Sequence, residues 1–161
     1  MNATKHPVLQ HAEHADVKEV MGGTIAVRLR AEQTGDRLAM VENLLPAGFG
    51  RLPLHVHPHF DEAFYVLDGE LSFRVGDDVI DATAGTLVYV PGDVPHTFAE
   101  LTGAAPVRFL LWITPAGHET YFEALAAAAQ ASASGYPAPE ALGALMAEHA
   151  IEVVGGTDPR A

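Results

Sequence analysis

Residues 52–69 have the sequence LPLHVHPHFDEAFYVLDG and contain three of the nine histidines of the chain. His55 and His57 are two positions apart, so an extended strand would place both imidazoles on one face. A carboxylate follows at Glu62, and His96 further along the chain offers another imidazole. Three neutral imidazoles and one carboxylate suit a divalent transition metal better than Ca²⁺ or Mg²⁺. The segment therefore indicates a metal site that includes His55 and His57.

Other residues around this segment compete for the same role. His59 keeps the strand parity of His57, but Pro58 lies between them and bends the chain. Asp61 is an alternative to Glu62 as the carboxylate. We expect surface or ordinary core positions for the remaining histidines, which are His6, His11, His14, His118 and His149.

The flanking sequence alternates short apolar runs with turn residues. Strand-like patterns separated by Gly, Asp and Pro recur every ~8–12 residues, which favours an all-β sandwich or barrel. The predicted strands are Thr24–Arg30, Leu38–Leu45, Phe64–Leu67, Leu71–Val75, Val79–Ala82, Thr86–Val90, Thr97–Leu101 and Val107–Thr114.

The last part of the chain changes to helical patterns. Thr120 and Glu123 have capping-box spacing ahead of an alanine-rich run, which predicts a helix over Tyr121–Ala131. A second helix is predicted over Glu140–Ala150, with Pro139 in its first turn. These patterns divide the chain into an N-terminal arm or edge segment (1–20), a β domain (21–116) and a C-terminal helical extension (117–161).

Composition excludes several classes of protein. The 161 residues suit one domain, and the absence of cysteine excludes disulfide scaffolds, thiolate metal sites and cysteine nucleophiles. A formal net charge of −12 disfavours binding to nucleic acid or to anionic lipid. The N-terminus has no apolar signal-peptide region, so a cytoplasmic location is the default expectation, with no membrane or nucleic-acid partner.

Two motifs carry a family resemblance. His55-x-His57-x4-Glu62-x6-Gly69 resembles the first motif of the cupin family, and Gly85-x5-Pro91-x4-His96 resembles its second. The similarity extends over about residues 47–114. It implies an all-β cupin jelly-roll β-barrel, followed here by a short helical C-terminal extension.

Three positions depart from the cupin pattern. Phe49 and Asp93 stand where the family has glycine, and Glu100 replaces an asparagine. Aspartate tolerates a left-handed backbone better than most residues, so we expect the turn at Asp93 to be kept. The change at Glu100 is expected to weaken only local hydrogen bonding.

The resemblance implies a ligand set and an activity. His55, His57, Glu62 and His96 would hold one divalent transition metal, which could be Fe, Mn, Ni, Co, Cu or Zn. The chain is similar to small bacterial quercetin 2,3-dioxygenase-like cupins, which use dioxygen to cleave a flavonol. In those relatives the glutamate ligand also takes the substrate proton, and by analogy Glu62 would be ligand and base. Cupins commonly form dimers, so a homodimer is expected.

Strand parity predicts an apolar, aromatic cavity at this site, lined by Phe49, Phe64, Phe73, Phe98 and Trp112. The alternative is that these residues form an ordinary core. The arginines are expected to face outward or lie at the rim, which disfavours phosphorylated substrates and favours a phenolic or enol substrate. A ligand-binding or sensory cupin without turnover, and a metal-dependent isomerase or lyase, are the alternative functions.

Overall fold

The structure is a computed structural model that describes residues 7–50 and 52–155, and its strands form two antiparallel sheets. The first sheet contains, in spatial order, β1 (Val17–Val20), β2 (Gly23–Leu29), β3 (Ala39–Leu45), β10 (Val107–Thr114), β5 (Asp61–Asp68) and β8 (Leu87–Val90). The second contains β11 (Glu152–Val153), β4 (His55–Val56), β9 (His96–Glu100), β6 (Glu70–Val75) and β7 (Asp78–Thr83).

The connectivity is that of a jelly roll. Between β3 and β10 the chain crosses repeatedly from one sheet to the other, and neighbouring strands run antiparallel. Every strand predicted from the sequence is present, with ends shifted by a few residues. The predicted all-β jelly-roll fold with a helical C-terminal segment is therefore confirmed.

The core lies between the two sheets, and alternate residues of each strand contribute to it. On β5, Glu62, Phe64 and Val66 are buried, whereas the residues between them are more exposed. On β10 the buried residues are Val107, Phe109, Leu111 and Ile113. This alternation follows from the two-residue period of a strand, and it fixes which side chains can reach the interior.

Three helices lie beside the sheets: α1 (Ala31–Thr34), α2 (Glu119–Gln130) and α3 (Pro139–Glu148). Helix α2 buries Ala126 and Ala129 in the core. In the part of the chain that the structure describes, no helix is long and apolar enough to cross a membrane.

The capping box predicted for α2 is wrong. The helix begins at Glu119, and the Thr120 hydroxyl donates to the Gly117 carbonyl group. Glu123 pairs instead with Arg30, at 2.6 Å. The start of α2 is held by the buried Glu119 carboxylate, which accepts from the backbone N–H groups of Gly117 and Ala31, both at 2.7 Å.

Some predicted features fall on residues that the structure does not describe. His6 and the end of the C-terminal tail (156–161) lie outside the described residues. Within the described part, Ala12–His14 forms a 3-10 turn and β1 is an edge strand. The proposed boundaries at residues 20 and 116 stay a prediction.

Glu100 ties two loops to the end of β9. Its carboxylate accepts hydrogen bonds from the Gly48 N–H at 3.2 Å, from the Thr102 N–H at 2.8 Å and from the Thr102 hydroxyl at 2.7 Å. The Gly103 N–H donates to it as well. The expectation that glutamate weakens the hydrogen bonding here is therefore wrong, because the carboxylate joins the loop before β4 to the turn after β9.

We predict that Glu100→Gln destabilises the fold by about 1.5–3 kcal/mol at pH 7, the usual worth of hydrogen bonds to a charged group. Burial raises the pKa of Glu100, but the hydrogen bonds from Thr102, Gly48 and Gly103 lower it more, so the net pKa lies below the ordinary 4.5. The stabilisation is thus complete above about pH 4.5 and is lost as the pH falls through the folded-state pKa.

Urea unfolding of both proteins at pH 7 and at pH 3 measures this difference. Glu70→Gln is the control, because Glu70 lies on the neighbouring strand β6 and its carboxylate has no hydrogen bond to a described residue. An equal loss of stability at both pH values would contradict the role given to the Glu100 charge.

Candidate metal centre and cavity

Three buried histidines and one buried glutamate meet between the two sheets. The pairing of β4 with β9 sets His55 opposite His96, and His57 follows directly after β4. The ligand-capable atoms of these three rings lie within 4.8 Å of one another. Glu62 arrives from β5 of the other sheet, and its Oε2 atom lies 3.1 Å from His96 Nε2 and 3.5 Å from His57 Nε2. Two ligand atoms that each lie about 2.0–2.2 Å from the same ion are separated by a distance similar to those between Glu62 Oε2 and the two imidazole nitrogens.

Backbone carbonyl groups orient two of these rings. His55 Nδ1 donates to the Pro53 carbonyl at 2.8 Å, and His96 Nδ1 donates to the Val94 carbonyl at 2.9 Å. A neutral imidazole carries one N–H, so the Nε2 atom of each ring keeps a free lone pair. Such carbonyl partners are typical of metal-binding histidines.

The contact between His96 and Glu62 points to a missing positive charge. With its proton on Nδ1, a neutral His96 directs a lone pair at the Glu62 carboxylate, and two acceptors at 3.1 Å repel one another. A cation held by both groups removes the repulsion. The alternative is a protonated His96 in an ion pair with Glu62, which needs no metal.

Burial keeps the other rings neutral. Burial, followed by the charge of His96, lowers the pKa of His55. Burial also lowers the pKa of His57 to about 2, with further contributions from His55 and His118. Neutral imidazole is the form that binds metal. In addition, the buried His57 Nδ1 atom has no hydrogen-bond partner among the described residues.

The turn before His96 is anchored to the segment that carries His57 and Glu62. Asp61 accepts from the Gly92 N–H at 2.7 Å and from the Tyr89 hydroxyl at 2.6 Å. Asp93 donates its N–H to the His57 carbonyl at 3.0 Å and has a φ of +63°. The expected left-handed turn at Asp93 is present. Asp61 is engaged in this turn, and its carboxylate is therefore not directed at the three histidines.

The remaining histidines divide into two groups. His59 is exposed, as are His11 and His14 near the N-terminus. His118, in contrast, is only 7% exposed, and its ring centroid lies 5.1 Å from that of His57. It stacks on Phe60 at 4.2 Å, and burial lowers its pKa to about 3. The sequence contained no motif for this contact, which exists only because α2 folds back over the sheets.

A cavity of about 130 Å³ adjoins the histidines and is covered by α2 and α3. His55, His57 and Glu62 lie in its wall together with His118 and Tyr121. The apolar walls come from both sheets and both helices, and include Ile25, Phe49, Phe64, Phe98, Phe109, Leu111, Phe122, Leu125, Leu142, Met146 and Ile151.

The structure places the five predicted cavity residues differently. Phe49, Phe64 and Phe98 line the cavity. Phe73 is fully buried behind Phe64 and Phe98, with ring centroids 5.0 Å and 5.8 Å away, so it supports the wall without forming it. The prediction for Trp112 is wrong, because it lies on the opposite face of β10 from the buried residues.

Among the described residues, the cavity wall contains no arginine or lysine. Arg28 and Arg108 both pair with Glu42, away from the cavity. Arg51 lies outside the described residues. The described part of the wall therefore offers a phosphorylated ligand no arginine or lysine, whereas an uncharged apolar ligand would match it.

Comparison with known proteins agrees with this architecture. Residues 42–114 match the Cupin domain family, and the fold is the cupin jelly roll. An uncharacterised protein of Methanocaldococcus jannaschii is 26% identical over 76 residues, which cover 47% of this chain and 59% of that relative. The matched region thus spans somewhat more than half the length of this curated relative.

Solved structures show the same fold at low sequence identity. KdgF from a Halomonas species has a TM-score of 0.62 at 15% identity, covering 71% of this chain and 99% of that one. An RmlC-like cupin from Shewanella frigidimarina has a TM-score of 0.58 at 18% identity, covering 71% and 96%. The polyketide cyclase RemF from Streptomyces resistomycificus has a TM-score of 0.57 at 19% identity, covering 68% and 80%.

We predict that His55→Ala and His96→Ala lose most of their bound metal. The loss of affinity should exceed the roughly 10–100-fold seen when only a residue supporting a ligand is changed, because each substitution removes a donor. Elemental analysis and calorimetric metal titration measure it. His59→Ala, which removes an exposed imidazole from the same segment, is the matched control and should retain metal.

The result also separates the two explanations of the His96–Glu62 contact. If the pair is an ion pair without metal, wild type and His55→Ala will have the same metal content. That outcome would contradict the metal centre.

Proposed function

We propose that this cupin holds one divalent transition metal on His55, His57, Glu62 and His96 and acts as a dioxygenase on a phenolic or enol substrate. The proposal is supported mainly by one observation: His55, His57 and Glu62 lie in the wall of an apolar cavity. His55, His57, Glu62 and His96 would hold the ion, and the adjoining cavity would hold the substrate beside it. Elemental analysis of protein purified without added metal would choose among Fe, Mn, Ni, Co, Cu and Zn.

The protein supplies orientation and a dry site. A metal of this kind, when bound, offers Lewis acidity toward a substrate oxygen and a path for electrons between substrate and dioxygen. The apolar walls exclude water, and excluding water strengthens every charge interaction inside the cavity. No external reductant is needed for a reaction in which dioxygen cleaves the substrate and both oxygen atoms enter the product, because the substrate itself then supplies the electrons that reduce dioxygen.

Glu62 is proposed to accept the substrate proton. It is 5% exposed and faces the same interior as the three histidines. A positioned carboxylate can take the proton of an acidic hydroxyl as that oxygen becomes an anion. Tyr121 also lies in the cavity wall. Its hydroxyl stays protonated, because burial and then the Glu62 charge raise the pKa of Tyr121 to about 12. It can therefore donate a hydrogen bond to the developing anion.

A metal-dependent isomerase or lyase is the second candidate. The same buried Glu62 supports it, since a proton can be moved at a metal-bound substrate without dioxygen. Oxygen consumption separates the two candidates. A cupin that only binds its ligand would show neither oxygen uptake nor product formation.

We predict that Glu62→Gln retains part of its metal but loses about 10²–10⁴-fold in turnover per bound metal, the usual worth of a general base. The amide keeps one oxygen donor and removes the charge and the basicity. Oxygen uptake and metal content, measured on the same preparations with phenols and flavonols, give the ratio. Glu140→Gln, at an exposed glutamate of α3, should match wild type.

Unchanged turnover per bound metal in Glu62→Gln would remove the base role. Recovery of full activity on adding excess metal would show that Glu62 serves as a ligand alone.

The proposal includes a homodimer. Edge strand β8 exposes two large side chains, Leu87 at 60% and Tyr89 at 53%. Exposed apolar residues on a sheet edge favour association with another copy. Sedimentation should give twice the 17.1 kDa chain mass, and Leu87→Lys should shift the protein toward monomer. A wild-type protein of single-chain mass at micromolar concentration would contradict the dimer.

A further inference from the structure

Asn43 is a polar residue of the cavity wall that takes no part in the metal centre. Asn43 lies on the buried face of β3, is 5% exposed and lines the cavity. Its Nδ2 group donates to the Val41 carbonyl at 3.4 Å. No described residue donates a hydrogen bond to its Oδ1 atom. The residues paired with it on either side, Ile25 and Phe109, are apolar.

Among the described residues, His57 Nδ1 is the only fully buried side-chain polar atom without a partner, so the unpaired Asn43 Oδ1 atom keeps accessible surface in the cavity wall. Nearly all buried polar groups in proteins are hydrogen-bonded, because an unpaired one loses its water without gaining a partner. The free Oδ1 atom is therefore placed to accept a hydrogen bond from a molecule inside the cavity.

The size of the cavity limits that molecule. Its volume of about 130 Å³ is close to the roughly 150 Å³ of an engineered protein cavity that binds benzene. One aromatic ring fits such a space. A three-ring flavonol does not fit while Leu142 and Met146 of α3 form part of the wall.

We propose that the cavity binds a molecule of one-ring size and that Asn43 selects it by accepting a hydrogen bond from a hydroxyl or amine group. This narrows the substrate class of the proposed function to single-ring phenols with a second donor group. The hydrogen bond to Asn43 concerns one end of the ligand. Only the placement of the opposite end, an ionisable oxygen directed at the histidines, rests on the proposed function. Asn43 is a specificity-determining residue in this scheme.

The test uses metal-stripped protein, so that it is independent of the metal and of turnover. The probes are ethylbenzene and benzyl alcohol, which have the same shape and differ by a methyl group in place of a hydroxyl. Their dissociation constants are measured by NMR titration on wild type, Asn43→Leu and Asn43→Val. Ser72→Ala is the control, because Ser72 is a buried polar residue that bonds to Asp81 and lies outside the cavity.

The ratio of the dissociation constants of ethylbenzene and benzyl alcohol is compared between proteins. The two probes differ in water solubility, but this difference is the same for every protein and therefore cancels. We expect the preference for benzyl alcohol over ethylbenzene to fall by at least about 10-fold in both Asn43 variants. It should stay at the wild-type value in Ser72→Ala. Circular dichroism and melting curves confirm that each variant is folded, and the apolar replacements should melt no lower than wild type.

An unchanged ratio in a folded Asn43 variant would overturn the selection by Asn43. The size limit has its own readout: flavone, which has three rings and no hydroxyl, should fail to displace ethylbenzene from wild type. Displacement at equal concentration, or failure of ethylbenzene itself to bind, would overturn the size limit. If the protein is not a dioxygenase, it will lack bound metal or oxygen uptake. The ratios of the two dissociation constants do not depend on either property and would stay as expected.

Discussion

The register that sets His55 opposite His96 on β4 and β9 is the constraint on which the site depends. A slip of one residue in either strand would turn its imidazole to the other face of the sheet. The Asp61–Gly92 and Asp93–His57 hydrogen bonds prevent such a slip, because they join the turn before β9 to the segment between β4 and β5. Strand pairing and these two hydrogen bonds therefore position the donors before any ion binds.

The metal centre and the cavity lie between the two sheets, next to the paired strands β4 and β9. Burial keeps His55 and His57 neutral, and it leaves the Glu62 carboxylate as the compensating charge for a cation. Helices α2 and α3 cover the remaining side with apolar residues, so the donor set faces a mostly apolar space. Asn43 adds one free acceptor to that space, which favours a ligand with polar groups at two ends.

The sequence predicts the strands and the donor residues better than it predicts the cavity. Spacing and parity place Glu62 and Phe64 on one face, because β5 alternates clearly. The phase of β10 is ambiguous in the sequence, since residues 109–113 are all apolar, and strand parity alone therefore does not decide which face Trp112 occupies. His118 and Asn43 carry no local pattern. Their positions depend on how α2 folds back and how β3 pairs, which are long-range contacts.

The metal centre is the central claim, and thermal unfolding of chelator-stripped protein tests it most directly. A ligand that binds only the folded state raises the melting temperature as its concentration rises. We predict a rise with added Fe²⁺, Mn²⁺, Co²⁺, Ni²⁺, Cu²⁺ or Zn²⁺ that saturates at one equivalent per chain and is largest for the resident metal. Mg²⁺ should have little effect, because imidazole-rich sites suit it poorly. A melting temperature that none of the transition metals changes would contradict the account.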